Sequence, residues 1–482
     1  MDVTQIEGYF SSHGTNTHLS VNITTDRVCP VTATTSMPIG PRRITVIGCG
    51  YLGAVHAAAM TNLGHEVLGF DVDESKIEML ASGQTPFYEP GLDELLAQAL
   101  DSGRLRFTTS YAETAAFGDV HFLCVGTPQM ADSHAADLGY VRTAIESLAP
   151  HLTRPCLVVG KSTVPVGTAE WVRDRLVELS PAAAAVHLAW NPEFLREGLA
   201  VQDTLEPDRL VVGVDAQADA DNLANVYAKV LALGMPWVVV DLATAQLVKN
   251  AANAFLATKI SFINAMAELC EATGADVVAL ADAIGHDKRI GRRFLQAGLG
   301  FGGGCLPKDL RGFMARAEEL GVDQALAFLR DVDDINLRRR KRAVDVTSEM
   351  LDGAVEGARI AVLGAAFKPD SDDIRDSPAL DVAAMLHEFG AEVRVTDPKA
   401  LENARRTRPN LDYFDDPLEA CQDADVVLHL TEWREYRALD PVALARIVTH
   451  PRILDCRNAL DAPAWLAAGW EVRALGRPRL GT

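Results

Sequence analysis

No apolar run in this 482-residue chain is long enough to cross a bilayer, and its longest hydrophobic stretches are strand-sized. That excludes a helical membrane protein. The first residues, MDVTQIEGYFSSHGTNTH, lack the basic start and apolar core of an export signal, so the cytoplasm is the expected location. Paired cysteines are absent too. The 8 cysteines (Cys29, Cys49, Cys124, Cys156, Cys270, Cys305, Cys421 and Cys456) form no CxxC pair and no Cys/His cluster. A disulfide framework and a zinc site are thereby excluded, and no metal is expected. Positive charge is scarce: 45 Lys and Arg stand against 66 Asp and Glu, a net charge of −21. Such a chain has no general affinity for nucleic acid or an anionic membrane. It can still hold a phosphorylated ligand through backbone amides and a few placed cations.

What is present is ordinary globular material, 48% hydrophobic and 23% charged, in a chain too long for one core. Residues 1–41 are rich in Ser, Thr and Asn without periodicity and are expected to be a disordered tail. Order starts at Arg42. RRITVIGCGYLGAVHAAAMTNLGHEVLGFDVD reads as strand, glycine turn, Ala-rich helix and second strand ending at Asp71. Gly48, Gly50 and Gly53 form G-x-G-x-x-G, a turn that lets a pyrophosphate approach a helix N-terminus. Asp71 stands where a carboxylate accepts from ribose hydroxyls, which favours NAD over NADP. Alone, the glycine pattern is weak evidence; inside an intact strand–helix–strand with the terminal acid, it is strong.

Apolar strands continue through DVHFLCVGTP, CLVVGKSTVPVGT, AVHLAWNPEFLREG and RLVVGV, each ending in small or polar residues. Ligand-facing loops leave a parallel sheet at that edge. From Asp241 to about Thr273 the chain is Ala-rich and free of Pro and Gly, which predicts one helix of roughly nine turns. Lys249 and Asn253 fall on one face of it. Residues 298–310, GLGFGGGCLPKDL, crowd glycines against one cysteine. Cys305 is either a covalent nucleophile or a small core residue. In the first case Lys308 or a neighbouring cation favours the thiolate and Asp309 handles protons or water. The basic run Arg338–Arg342 reads as a solvated helix face. A second strand–helix–strand unit starts at ARIAVLGAAFKPDSDDIRDSP, without the glycine fingerprint. The fold class expected is α/β: two Rossmann-like, doubly wound parallel-sheet domains at 42–240 and 341–482. A helical dimerisation region at 241–340, with a long central helix, joins them.

Together these blocks resemble one family, the nucleotide-sugar 6-dehydrogenases. GCGYLG, FYEPGLDELL, VGTP, STVPVGT, NPEFLREG, QLVKNAANAF, GFGGGCLPKDL, AAFKPDSDDIRDSP and LTEW follow the family's order over about residues 42–460. The resemblance implies oxidation of a sugar CH2OH to a carboxylate with two NAD+ and no release of the aldehyde. FYEPGL and ILDCRN tilt the expected substrate to UDP-glucose, with GDP-mannose or a UDP-hexosamine as alternatives. It implies Cys305 as the nucleophile, Lys249 and Asn253 as oxyanion partners, and Asp309 as the carboxylate that activates water. Thr163, Glu193 and Glu197 fall in the same catalytic cluster. The cofactor contacts implied are Gly48, Gly50, Tyr51, Leu52, Gly53, Asp71, Lys76, Thr127, Thr163 and Glu197. For the UDP-sugar they are Phe194, Leu195, Arg196, Lys249, Asn253, Arg289, Phe301, Gly302, Cys305, Lys368 and Arg457. Arg289 resembles an arginine that crosses a subunit interface, which implies a homodimer or higher homo-oligomer. Gly304 stands where many relatives carry serine and is expected to loosen the loop. Cys49 and Cys124 are expected to be packing substitutions.

Overall fold

A computed structural model describes residues 40–479, so most of the expected N-terminal tail lies outside the described residues. Strands β1 (Arg43–Ile47), β2 (Glu66–Phe70), β3 (Leu105–Thr108), β4 (Val120–Leu123), β5 (Cys156–Gly160), β6 (Val186–Trp190), β7 (Leu210–Val214) and β8 (Trp237–Val240) form one sheet. Its order is β3-β2-β1-β4-β5-β6-β7-β8. Successive residues of these apolar strands point to opposite faces. Val46, Phe122 and Val159 enter one buried cluster, and Ile47, Leu123 and Val158 enter another. A sheet buried on both sides reads as a continuous apolar run, which is why its strands are visible in the sequence.

The sheet departs from the all-parallel expectation at one step. β7 lies antiparallel to β6, with only Ala189↔Val214 and Trp190↔Gly213 paired. β8 then runs parallel to β7. The register explains the reversal: the chain from Asn191 through the short helix Ala200–Leu205 stays at the carboxyl edge and re-enters the sheet from that side.

The central helix, Leu242–Thr273, is 32 residues and so about 48 Å long. Asp241 caps its start by accepting from the Thr244 amide, and Gly274 ends it at φ +77°. Helices Leu306–Glu319 and Phe328–Met350 pack against it. A second sheet follows, with strands β9 (Arg359–Leu363), β10 (Glu392–Thr396), β11 (Asp412–Phe414), β12 (Val426–His429), β13 (Arg452–Asp455) and β14 (Glu471–Ala474). Its order is β11-β10-β9-β12-β13-β14, all parallel. Among the described residues no helix is long and apolar enough to cross a membrane, and no group of His, Cys, Asp or Glu is placed to hold a metal ion.

The basic run is not a solvated face. Arg339 is wholly buried and Arg340 nearly so. Arg339 donates from Nε to the Gly298 carbonyl (3.2 Å) and from Nη2 to Glu271 (3.3 Å). Arg340 pairs with Asp381 and, at 2.9 Å, with Asp376. Helical periodicity turns these two inward while Arg338 stays at the surface, so the run buckles the central helices to the second sheet. Arg339→Ala is expected to lower the unfolding free energy in urea by about 2–5 kcal/mol, because it empties a wholly buried site and leaves the Gly298 carbonyl unpaired, while Glu271 keeps Arg342 and the Gly476 amide. A loss below about 1 kcal/mol, typical of an exposed pair, would contradict this role.

Candidate active site

The carboxyl edge of the first sheet, the central helix and the glycine loop converge on one cleft. The loop takes its shape from partners on three sides. Gly300 has φ +94°, and a Cβ there would stand 2.3 Å from Asn336 Oδ1. That oxygen accepts from the Phe301 amide (2.7 Å), while Asn336 Nδ2 donates to the Phe301 carbonyl (2.9 Å). From the second sheet, Arg457 donates to the carbonyls of Gly300 (3.1 Å), Phe367 (3.1 Å) and Leu430 (2.6 Å). Cys305 follows as the N-cap of the helix Leu306–Glu319, and its side chain is exposed to the cleft.

Around it stand the expected polar groups. Lys249 and Asn253 share the buried face of the central helix. Lys249 Nζ lies 2.9 Å from Glu193 Oε1, with both side chains largely buried. Asn253 Nδ2 donates to Asp309 Oδ2 (2.7 Å). Lys308 Nζ donates to Asp309 Oδ1 (2.6 Å) and lies 3.5 Å from Thr127 Oγ1, which in turn donates to the Thr163 carbonyl (2.8 Å). Lys308 is therefore committed to Asp309. The cations whose fields reach the thiol are Lys249 first, then Lys368 and Arg375 from the second domain.

These charges set the chemistry. Desolvation by the surrounding protein, then Glu193 and Asp309, push the Cys305 thiol up to about 12, against the pull of Lys249. The resting thiol is neutral. Burial disfavours the Lys249 ammonium, but Glu193, Asp309 and Cys305 outweigh it and hold its pKa above the usual lysine value. Glu197 is raised to about 7 by burial and by Asp373, with Arg375, Lys368 and Ser371 opposing. Ser371 Oγ donates to Glu197 Oε2 (3.1 Å), Arg375 Nη2 to Glu197 Oε1 (3.4 Å), and Lys368 Nζ to the Glu197 carbonyl.

At the other end of the cleft, Gly48 has φ +91° and a Cβ on Gly50 would meet nothing within 4 Å. That open space in front of the helix Tyr51–Asn62 fits a pyrophosphate. Asp71 closes β2, accepting from the Cys49 amide (2.9 Å) and from Lys76 Nζ (3.0 Å). Leu52 packs its side chain against the core beneath. The residues present fit a bound dinucleotide.

Not every expected residue joins the cleft. Arg196 pairs with Asp203 (2.5 Å), and Leu195 is held through its amide by Glu193 (2.6 Å). Phe194 lies between Arg209, 4.0 Å from its ring centre, and Lys249 at 5.6 Å. Phe301 is packed among Ala254, Ala257 and Leu310. Gly302 passes so close to the second domain that a Cβ would stand 2.3 Å from the Asp376 carbonyl. Arg289 is 90% exposed, pairs with Asp287 (2.6 Å) and stands apart from the other candidates within one chain. Gly304 does not loosen the loop: the Arg375 guanidinium fills the space a side chain would take, and the Gly304 amide donates to Asp373 (3.2 Å). Cys49 and Cys124 are buried packing residues, as expected.

Sequence reasoning missed Glu89. It is buried and accepts from Gly198 N (2.6 Å), Ala200 N (2.7 Å) and Tyr51 Oη, tying the glycine turn to the loop that carries Glu193 and Glu197. FYEPGL marked the segment, but nothing local to it shows that Glu89 accepts from amides more than a hundred residues later.

The charge pattern predicts thiol reactivity. Cys305 is expected to alkylate with iodoacetamide at pH 8 more slowly than a free cysteine, more slowly still in Lys249→Met, and faster in Glu193→Gln. Peptide mass spectrometry reads the rates, and a Lys249→Met rate above wild type would contradict the assignment.

Three family models match the chain: the NAD binding domain of the UDP-glucose/GDP-mannose dehydrogenase family at residues 42–231, its central domain at 243–338 and its UDP binding domain at 361–462. A UDP-glucose 6-dehydrogenase of Rhizobium meliloti (strain 1021) is 41% identical over 90% of this chain and 100% of its own length. The UDP-glucose 6-dehydrogenase TuaD of Bacillus subtilis (strain 168) is 39% identical over 91% and 94%. Among solved structures, a UDP-glucose dehydrogenase from Pyrobaculum islandicum superposes with TM-score 0.83 at 39% identity, covering 90% of this chain and 98% of that one. A UDP-D-ManNAc dehydrogenase from Pyrococcus horikoshii gives TM-score 0.79 at 28% identity, over 90% and 99%. The fold, the cleft and these matches agree, and the chain belongs to the UDP-glucose/GDP-mannose dehydrogenase family of NAD-dependent enzymes.

Proposed function

We propose that the chain oxidises the hydroxymethyl group of UDP-glucose to the carboxylate of UDP-glucuronate through a covalent Cys305 intermediate. The observation that carries this reading is the thiol standing in the field of the Lys249 ammonium, beside the Asn253–Asp309 pair. NAD+, when bound between the glycine turn and Asp71, accepts the hydride of each of the two oxidations.

The hydroxyl proton lost in the first oxidation leaves through the water beside Asp309, and Cys305 Sγ then adds to the aldehyde carbon, forming the C–S bond of a thiohemiacetal. Its proton passes to Glu197, which titrates near neutrality and whose charge reaches the thiol. Lys249 and Asn253 stabilise the developing oxyanion from a rigid helix. The second oxidation leaves a thioester. Asp309 takes a proton from the water that attacks it, the C–S bond breaks, and the acid leaves as the thiol is reprotonated. Thr163 and Glu193 order that water and the reacting groups. Lys368, whose Nζ stands at the Glu197 carbonyl, supplies positive charge for the pyrophosphate on the side of the second sheet, whose family model describes a UDP binding domain, while Arg457 holds the loop that borders it. The relatives named UDP-glucose 6-dehydrogenase at about 40% identity support UDP-glucose as the sugar nucleotide.

We also propose a homodimer built on the central helix. Leu247, Phe255, Phe262 and Leu269 recur every two turns along one face and are exposed, Phe255 by 66% and Phe262 by 50%. A partner covering that stripe would bring the exposed Arg289 of one copy toward the cleft of the other.

Two measurements test these readings. Two NADH per UDP-glucose, abolished in Cys305→Ala, is the expected stoichiometry. One NADH per sugar, or turnover of GDP-mannose or a UDP-hexosamine alone, would overturn it. Phe255→Glu combined with Phe262→Glu is expected to halve the mass seen by light scattering and to remove activity with it; an unchanged mass would overturn the interface.

A further inference from the structure

Lys161 follows β5 directly, yet no role has fallen to it. Its side chain is buried, and among the described residues no carboxylate lies within ion-pair distance of its nitrogen. Nζ donates to Asn191 Oδ1 (3.1 Å) and to Tyr227 Oη (3.4 Å), with the Tyr227 ring centre at 5.9 Å. Asn191 is wholly buried and fully used: Oδ1 also accepts from Tyr227 Oη (2.9 Å), and Nδ2 donates to the Val211 carbonyl (2.8 Å). Pro192 and Glu193 come next, and Glu193 is the partner of Lys249. The charged and titratable groups facing the ammonium are Cys124 at the end of β4, Glu193 beyond β6, Lys249 on the central helix, His56 on the helix Tyr51–Asn62, and Tyr227. Of these only Glu193 brings an opposite charge, and it is shared with Lys249. His56, with both ring nitrogens buried and unpartnered, is held neutral.

A buried cation without its own counterion weakens a fold, and a hydrophobic replacement of similar volume is usually neutral or stabilising. Packing therefore gives no reason for lysine at this position; the cleft does. We infer that Lys161 is a positioning residue for the oxidation: it fixes the Asn191–Pro192–Glu193 turn from below and shares the Glu193 charge, leaving Lys249 free to meet an oxyanion. Burial lowers the Lys161 pKa to about 8, so its charge is present at neutral pH and is lost as pH rises through that value.

The sign for stability follows. The folded state disfavours the charged form, so the destabilisation is absent above the unfolded lysine value, grows as pH falls toward about 8, and is constant below it. Lys161→Met is expected to melt at or above the wild-type temperature at pH 7, with the difference shrinking toward pH 10. Its kcat with UDP-glucose should fall about tenfold or more, with the KM for NAD+ nearly unchanged and the alkaline limb of the wild-type profile lost. Lys161→Gln keeps a donor to Asn191 without the charge, and its turnover should fall between those of Lys161→Met and the wild type. Unchanged turnover, wild-type turnover in the glutamine variant, or a melting temperature that falls together with activity would each overturn the assignment. The kinetic arm rests on the proposed oxidation. A wild-type protein without UDP-glucose turnover contradicts that reading alone, while the melting curves still decide whether the buried charge is destabilising.

Discussion

Backbone buried away from water must find hydrogen-bond partners, and the glycine loop finds almost none within itself. The Gly298 amide bonds to Asn264 of the central helix (2.9 Å) and its carbonyl to Arg339. Asn336 holds Phe301, Arg457 holds the Gly300 carbonyl, and the Gly303 amide reaches the Arg375 carbonyl (2.8 Å). The Gly304 amide ends on Asp373. These partners come from the central helix, the helix Phe328–Met350 and two loops of the second sheet. Cys305 is therefore placed only when the central helices and the second sheet are both assembled. Glycine is required because those partners press close: a side chain at position 300 or 302 would collide with Asn336 or the Asp376 backbone.

The first sheet is joined to the same point by charge. The loop after β6 carries Glu193 to Lys249 and Glu197 to Ser371 and Arg375 of the second domain. Glu89 and Tyr51 fasten that loop to the start of the cofactor helix. Acids outnumber free cations here, which keeps the resting thiol protonated and Glu197 near neutrality. A neutral resting thiol beside a carboxyl poised to take its proton suits a nucleophile that forms at the moment of attack.

Much of this was legible in the sequence. The glycine turn with Asp71, the capped central helix with Lys249 and Asn253 on one face, and the cysteine loop all rest on local patterns, and each stands where expected. What depends on the third dimension was not. The reversal at β7 was hidden because a five-residue apolar strand looks the same in either direction. Arg339 and Arg340 sat in a run that reads as surface until the neighbouring helix covers it. Lys308 follows the cysteine closely in sequence, yet one helical turn aims it at Asp309. The cations that reach the thiol lie on a helix far earlier in the chain and on the loop after β9.

The central claim, that Cys305 bonds to the substrate carbon, is tested most directly by intact-mass spectrometry after rapid acid quench of the enzyme turning over UDP-glucose with NAD+. Asp309→Asn would slow hydrolysis and raise the trapped fraction. The account predicts a mass increase equal to the acyl group of UDP-glucuronate, located by peptide mapping on Cys305. An unmodified Cys305 peptide during steady turnover, or an adduct on another residue, would contradict it.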